Sequence, residues 1–460
     1  MTLFVNVPAG VLLGRKGGTL FSASWGGARG NMASATGSCG SAVRRSAMLV
    51  LGSDCGARCQ CLLLALCVLS VPWSARGRSL EEALLSTFPA QLRGEGEGLA
   101  TAFSRSVAAS FPVTGTSAAC AYRFDPEIDS YRRLDIPLGP VFSERAETVG
   151  NRKLSVMAGY VLIPYDELNG EDLDNLVSND PTQTKNHITI CNESLQCEPV
   201  LGTARVDLKA RILALSATYG ITPDLDVSIF FPPFVRTDLR VATSFAGPDP
   251  RAPASPAYFP YALEQTASET STGVGDLLLR AKYVLSRETP VDLAAGLTLS
   301  IPTGDAADFH GTGDTMIGAA LYASHVYLTR VEPHVNLRFV LDADKFDRSE
   351  FRYSVGADVR LLDWLTLNND FLGRSDIAAS DTVGQPVFVE VGRADVFQLS
   401  TGFKMAPPWH RTLHDVPVLG DVPERGVGLP WAWYFNVLLP INHSGVRSDH
   451  IFTLGAEGVF

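Results

Sequence analysis

One pattern recurs from Gly150 to the last residue. In Phe351–Leu361, the oily or small residues Phe351, Tyr353, Val355, Ala357, Val359 and Leu361 alternate with Arg352, Ser354, Gly356, Asp358 and Arg360. In Asp276–Leu285 the oily set is Leu277, Leu279, Ala281, Tyr283 and Leu285, with Asp276, Arg280 and Lys282 in the gaps. Successive strand residues point to opposite faces, so each such strand has an apolar face and a charged one. Alternation sustained over this length predicts an all-β fold. The strands are expected at about 152–164, 204–219, 224–231, 276–285, 292–301, 315–329, 334–342, 351–361, 364–373, 397–404, 431–441 and 448–460.

A soluble sandwich would bury the apolar face, whereas a membrane barrel would turn it to lipid. The connections separate the two. Segments 165–203, 246–272, 303–314 and 374–393 are long, and they alternate with tight turns at 220–224, 287–290, 329–333 and 362–364. Long loops on one rim and short turns on the other are the layout of an outer-membrane barrel, and a closed meander leaves no edge exposed. Aromatic residues near strand ends (Phe230, Phe231, Phe234, Trp364, Trp431, Trp433 and Tyr434) suit interface girdles. The expected fold is a transmembrane antiparallel up-and-down β-barrel of about 12 strands over 151–460, or 14 if the Pro-rich stretch 406–430 holds another hairpin.

The front of the chain reads differently. Residues 1–77 carry seven Lys or Arg and one acid, leaving 31 basic and 48 acidic residues beyond. An acidic body excludes nucleic acid as a partner. The apolar run Cys61–Trp73 is too short to span a bilayer as a helix and suits a secretory signal over 48–77, started at Met48, with 1–47 a mis-annotated leader. Residues 78–150 are expected to form a partly helical plug on the side of the tight turns. Its second helix, near Leu99–Ser110, carries Phe103 and Val107, with Phe111 just beyond. Five of eight cysteines lie within residues 1–77; Cys191 and Cys197 are close enough to bridge in an oxidising compartment.

Several stretches carry a resemblance. "YRFDPE", "LGPVFSERAETVGNRKLSVMAGY", "YGITPDLDVSIFFP", "TGVGDLLLRAKY", "LSIPTGD" and "LLPINHSGVRSD" resemble bacterial outer-membrane barrels grouped with the MetA-pathway phenol-degradation proteins and, more distantly, with outer-membrane fatty-acid transporters. The resemblance covers roughly Tyr122–Phe460. It implies an outer-membrane location in a Gram-negative bacterium and inward movement of small hydrophobic compounds, and it names no substrate. The last strand, ending in Phe460, resembles the signal read by the barrel assembly machinery. Outer-membrane lipid and lipopolysaccharide would surround such a barrel.

The expected lumen charges are Lys209, Arg211, Arg280, Lys282, Arg338, Arg352, Arg360 and Lys404, facing Asp207, Asp226, Asp276, Asp292, Asp342, Asp358 and Glu457. Their near balance predicts ion pairing with one another and with Glu144, Arg145 and Glu147, and little ion selectivity. Phe103, Val107 and Phe111 would touch a hydrophobic guest or wedge the helix in place. Asp305, Asp308, Asp314 and His310 form an acidic loop that could take calcium, though lipopolysaccharide is the plainer reading. No metal or cofactor is expected. A lipid hydrolase would need an activated serine; His443-Ser444 beside Asn442 is the local candidate and reads as a hairpin turn. A structural or surface-display barrel is the remaining alternative.

Overall fold

The computed structural model describes residues 78–110, 120–125, 130–137, 139–178, 188–191, 197–247, 261–287, 291–327, 330–362, 364–377, 395–406 and 431–460. All of them lie in the compact unit Cys67–Phe460.

Twelve strands form the ring: β1 (Leu154–Tyr165), β2 (Cys197–Gly220), β3 (Leu225–Gly247), β4 (Leu277–Ser286), β5 (Asp292–Ile301), β6 (Met316–Ser324), β7 (Val331–Asp342), β8 (Glu350–Leu362), β9 (Leu365–Asp376), β10 (Asp395–Met405), β11 (Trp431–Pro440) and β12 (Ile451–Val459). Each pairs antiparallel with the next, and β12 pairs with β1, closing the ring. β10 pairs directly with β11, from Gln398 opposite Pro440 to Met405 opposite Trp433. No barrel strand therefore intervenes between them, and 407–430 lies outside the described residues. The outer belt is oily: Tyr283, Leu297, Leu321, Val355, Trp433 and Leu454 are all exposed. The inner positions include Lys282, His334, Asp358, Lys404 and Glu457, all buried. An apolar exterior around a polar, sealed interior is the arrangement a bilayer permits, and the chain is an outer-membrane β-barrel.

β2 and β3 run to 24 and 23 residues, about twice what a tilted strand needs to cross a bilayer. Their upper halves rise above the other strands as a small sheet. Tyr261–Gly273 adds to one edge, against Val235–Gly247, while β4 takes the lower part of β3 at Leu225–Phe230. Ile188–Cys191 and Leu176–Val177 add to the other edge. Sequence reading placed 188–191 and 261–273 in long loops, because strands above the membrane lack the oily outer face.

The two halves differ in polarity. In lower β2, Leu213 and Leu215 face out, and Ser216 and Thr218 are buried inside. Higher up, the buried face is Val206, Leu208, Ala210 and Ile212, and the outer face is Arg205, Asp207, Lys209 and Arg211. Lys209 and Arg211 are thus outside the barrel and not in its lumen. Their strand has left the lipid, so the outer face meets water. β3 reaches the same result through a bulge. Its register against β2 shifts between Leu213 and Leu215, opposite Pro232-Pro233. Proline offers no N–H to the ladder, and the extra residue switches which parity points inward. Phe230 is buried below the bulge; Val235, Leu239, Val241 and Phe245 are buried above it.

That apolar inner face holds the N-terminal helices. α1 (Leu80–Leu85) is capped by Ser79, whose Oγ accepts the Glu82 N–H at 3.1 Å. It is followed by α2 (Arg93–Ser110). Leu80, Leu84, Phe88, Leu99, Phe103 and Val107 share one core with Val206, Leu208, Leu239 and Phe245. The Phe88 and Phe245 rings lie 6.1 Å apart. Leu80 N–H donates to Asp308 Oδ1 at 3.1 Å and Gln91 Nε2 to the Cys191 carbonyl at 2.7 Å. Both partners lie among the long loops, so the helices sit on the long-loop rim and not on the tight-turn side. The reason is burial: each large apolar side chain removed from water gains about 1.5–3 kcal/mol, and the inner faces of upper β2 and β3 offer these helices a continuous apolar wall.

Candidate functional site

Between α2 and β1, residues 139–149 descend through the lumen. Glu144 and Asn336 form a reciprocal pair: the Glu144 N–H donates to Asn336 Oδ1 at 2.7 Å, and Asn336 Nδ2 donates to the Glu144 carbonyl at 2.7 Å. Ser143 Oγ donates to Asp370 Oδ1 at 2.7 Å. Arg145 lies between two acids, its Nε 2.9 Å from Glu332 and its Nη2 3.1 Å from Asp358. Arg280 Nη1 is 2.8 Å from Glu144 Oε1, and Lys282 Nζ donates to the Glu147 carbonyl at 2.6 Å. Val149 N–H donates to Asp226 Oδ2 at 2.8 Å, and Arg152 N–H to the Gly220 carbonyl at 2.7 Å beside a tight turn. Gly220 is needed there, because a Cβ would sit 1.8 Å from the Gly150 carbonyl oxygen. The segment is tied to β3, β4, β7, β8 and β9, and it fills the lower lumen with paired charge. Breaking one buried pair of this kind costs about 3–5 kcal/mol.

Above this segment and below α2 lies a cavity of about 160 Å³. Phe142, Leu372, Val396, Leu438 and Ile451 supply apolar wall; Arg338, Arg352, Arg374 and Arg447 supply guanidinium groups; Ser106 reaches in from α2. Arg338 Nη2 is 3.6 Å from Glu144 Oε1 and 3.4 Å from the Tyr322 hydroxyl. Arg352 pairs with Glu350, and Arg374 Nε lies 3.7 Å from the same carboxylate. Arg447, in the roof, stands 2.7 Å from Glu167. Its hydrogen bond is the main cause holding the Glu167 carboxyl below the ordinary range.

The sequence candidates divide by place. Arg338 and Arg352 line the cavity. Arg280, Lys282 and Asp358 hold the lumen segment. Arg360 faces inward near the tight-turn rim, half-buried. Lys404 pairs with Glu457 at 2.7 Å. Phe103 and Val107 are buried against the upper sheet and Phe309, and Ser106 is the α2 residue at the cavity. Phe111 lies outside the described residues. Cys191 is disulfide-bonded and stands opposite Cys197 in the strand register.

The acidic loop comes apart. Asp305 caps a short turn by accepting the Ala307 N–H, Asp308 accepts from Leu80, and Asp314 pairs with Arg348. Asp314 instead gathers with Asp342 and Asp344. His443 Nδ1 lies 2.9 Å from Glu167, while Ser444 Oγ accepts the Asp395 N–H at 3.1 Å. The histidine and serine thus turn to different partners. Sequence reading missed Arg374, Arg447, Leu372 and Leu438, because nothing local marks which inward residues share a level of the barrel.

The sequence profile of the family described as "Putative MetA-pathway of phenol degradation" matches residues 202–404. Among solved structures, an outer-membrane channel from Pseudomonas putida F1 is similar at 12% identity over 68% of this chain and 98% of its own, with a TM-score of 0.40. A FadL homologue from Pseudomonas aeruginosa is similar at 10% identity, over 68% and 91%, with a TM-score of 0.30. The Ralstonia pickettii toluene transporter TbuX is similar at 10% identity, over 67% and 88%, with a TM-score of 0.27. No curated protein matches the chain. From the upper part of β2 to the end of β10, then, this outer-membrane barrel carries the pattern of the phenol-degradation family that its sequence resembles.

Proposed function

We propose that the chain is a channel that admits small hydrophobic compounds through the outer membrane, with residues 78–150 as its plug. One observation carries the reading: a cavity with an apolar side wall lies inside a sealed barrel, between a helical cover at the long-loop rim and a hydrogen-bonded segment toward the tight turns. A barrel that only displayed loops would have no use for such a chamber. The family match over 202–404 and the printed names of the similar structures, which include monoaromatic hydrocarbon channels, support the same class of cargo. Passage requires the lumen segment to shift, since its contacts fill the way below the cavity. In this reading the barrel assembly machinery takes the last strand, whose Phe460 packs on Trp431 at 5.8 Å, and lipopolysaccharide surrounds the charged outer wall of the tall sheet.

The test is uptake of radiolabelled toluene by cells with and without the gene, at concentrations where diffusion through lipid is slow. Loss of uptake on deletion, restored by the wild-type chain, is expected. Equal uptake in both strains overturns the reading.

A further inference from the structure

The cavity is not a neutral one. Four arginines line it, and among the described residues that line it none is an aspartate or glutamate. The acids that serve three of these arginines stand outside the lining and are shared. Glu144 serves Arg280 and Arg338; Glu350 serves Arg352 and Arg374. Arg338, Arg352 and Arg374 thus have two carboxylates between them, one of which also serves Arg280 outside the lining, whereas Arg447 has Glu167. The distances tell the same story, since Arg338 and Arg374 are the farther partners of their acids, at 3.6 and 3.7 Å. Their Nε atoms are buried and make no hydrogen bond. A guanidinium carries five N–H donors, and the hydrogen bond of Arg338 is the long one to the Tyr322 hydroxyl at 3.4 Å, so donors remain on these forks for a ligand oxygen.

The remaining wall is apolar, from Phe142, Leu372, Val396, Leu438 and Ile451. Guanidinium forks fit a carboxylate with two parallel hydrogen bonds. A volume of about 160 Å³ suits one aromatic ring; an engineered cavity of about 150 Å³ in another protein holds benzene. We propose that the cavity is a binding site for a small amphipathic carboxylate, with a body the size of a single ring on the apolar wall and its carboxylate between Arg338, Arg352 and Arg374. The proposal rests on the reading of the chain as a channel for small apolar compounds, and narrows it to cargo with an anionic head. No covalent step is involved.

The experiment is equilibrium binding to the folded, detergent-solubilised protein, with three probes that share a ring and differ in charge: benzoate, benzyl alcohol and benzylammonium. Benzoate should bind at least about tenfold more tightly than benzyl alcohol, the effect of one charge-assisted hydrogen bond, and benzylammonium most weakly. Arg374→Gln should lower benzoate affinity by about tenfold and leave benzyl alcohol unchanged, whereas Glu350→Gln, which removes the competing acid, should raise it. Heat-modifiable gel mobility verifies that each variant is folded, and the three-probe comparison needs no variant. Benzyl alcohol binding as tightly as benzoate overturns the proposal. Binding is read without transport, so benzoate selectivity beside unchanged uptake in the deletion strain would sink the channel reading and leave the anion site standing.

Discussion

Lys209 and Leu215 lie on the same outer face of one strand, six residues apart, and meet different solvents. Leu215 stands in the oily belt, and Lys209, in the part of β2 above the lipid, is exposed beside Asp207 at 2.9 Å. Leu215→Lys should destabilise the folded barrel by about 2 kcal/mol or more, the cost of a lysine at a lipid-facing position. Lys209→Leu should change stability by less than about 0.5 kcal/mol. Urea unfolding in lipid vesicles measures both. Equal costs would place the two residues in one medium.

Arg145 should be the costliest single residue of the lumen segment. Arg145→Leu leaves Glu332 and Asp358 buried without their shared cation, a loss of about 3–5 kcal/mol. Adding Asp358→Asn should recover part of it. A double-mutant cycle on unfolding free energies gives the coupling, and a coupling near zero would mean that the pair contributes nothing.

The lumen segment can be locked. Ser143 Oγ lies 3.0 Å from Ser354 Oγ, so cysteines at both positions should form a disulfide under oxidation. The oxidised Ser143→Cys/Ser354→Cys protein should lose toluene uptake, and a thiol reductant should restore it. Full uptake while the bond is intact would show that cargo passes without movement of this segment.

His310 should make the outer rim acid-sensitive. It is buried where loop 303–314 meets Gly273, and burial pushes its pKa below the ordinary 6.5, against the raising effect of Asp308 and Asp305. The unfolded loop then binds a proton more readily than the folded one, so stability is complete above about pH 6.5 and falls as pH drops below it. Hydrogen exchange across 261–273 should quicken between neutral pH and pH 5, and His310→Gln should flatten that dependence.

How much was legible in the chain follows from what each signal depends on. Alternation is local, so the ring strands and the lipid-facing set around Leu279 and Val355 could be read directly. Which strands outlast the membrane could not, because Val206 and Lys209 alternate as regularly above the lipid as Ala214 and Leu215 do within it. Glu144 and Arg145 could be picked out as charges needing partners, whereas Arg374 and Arg447 could not be tied to one chamber.

The sequence by itself determined that this chain closes into a barrel with one oily face, since period-two patterning and alternating loop lengths leave few other folds. Only the tertiary structure decided which face is outside at each height, that the helices cover the long-loop rim, and that the chamber beneath them is lined by arginines. The reason is that solvent, lipid and neighbouring chain compete for the same face, and that competition is settled by how far each strand rises, which no local run of residues encodes.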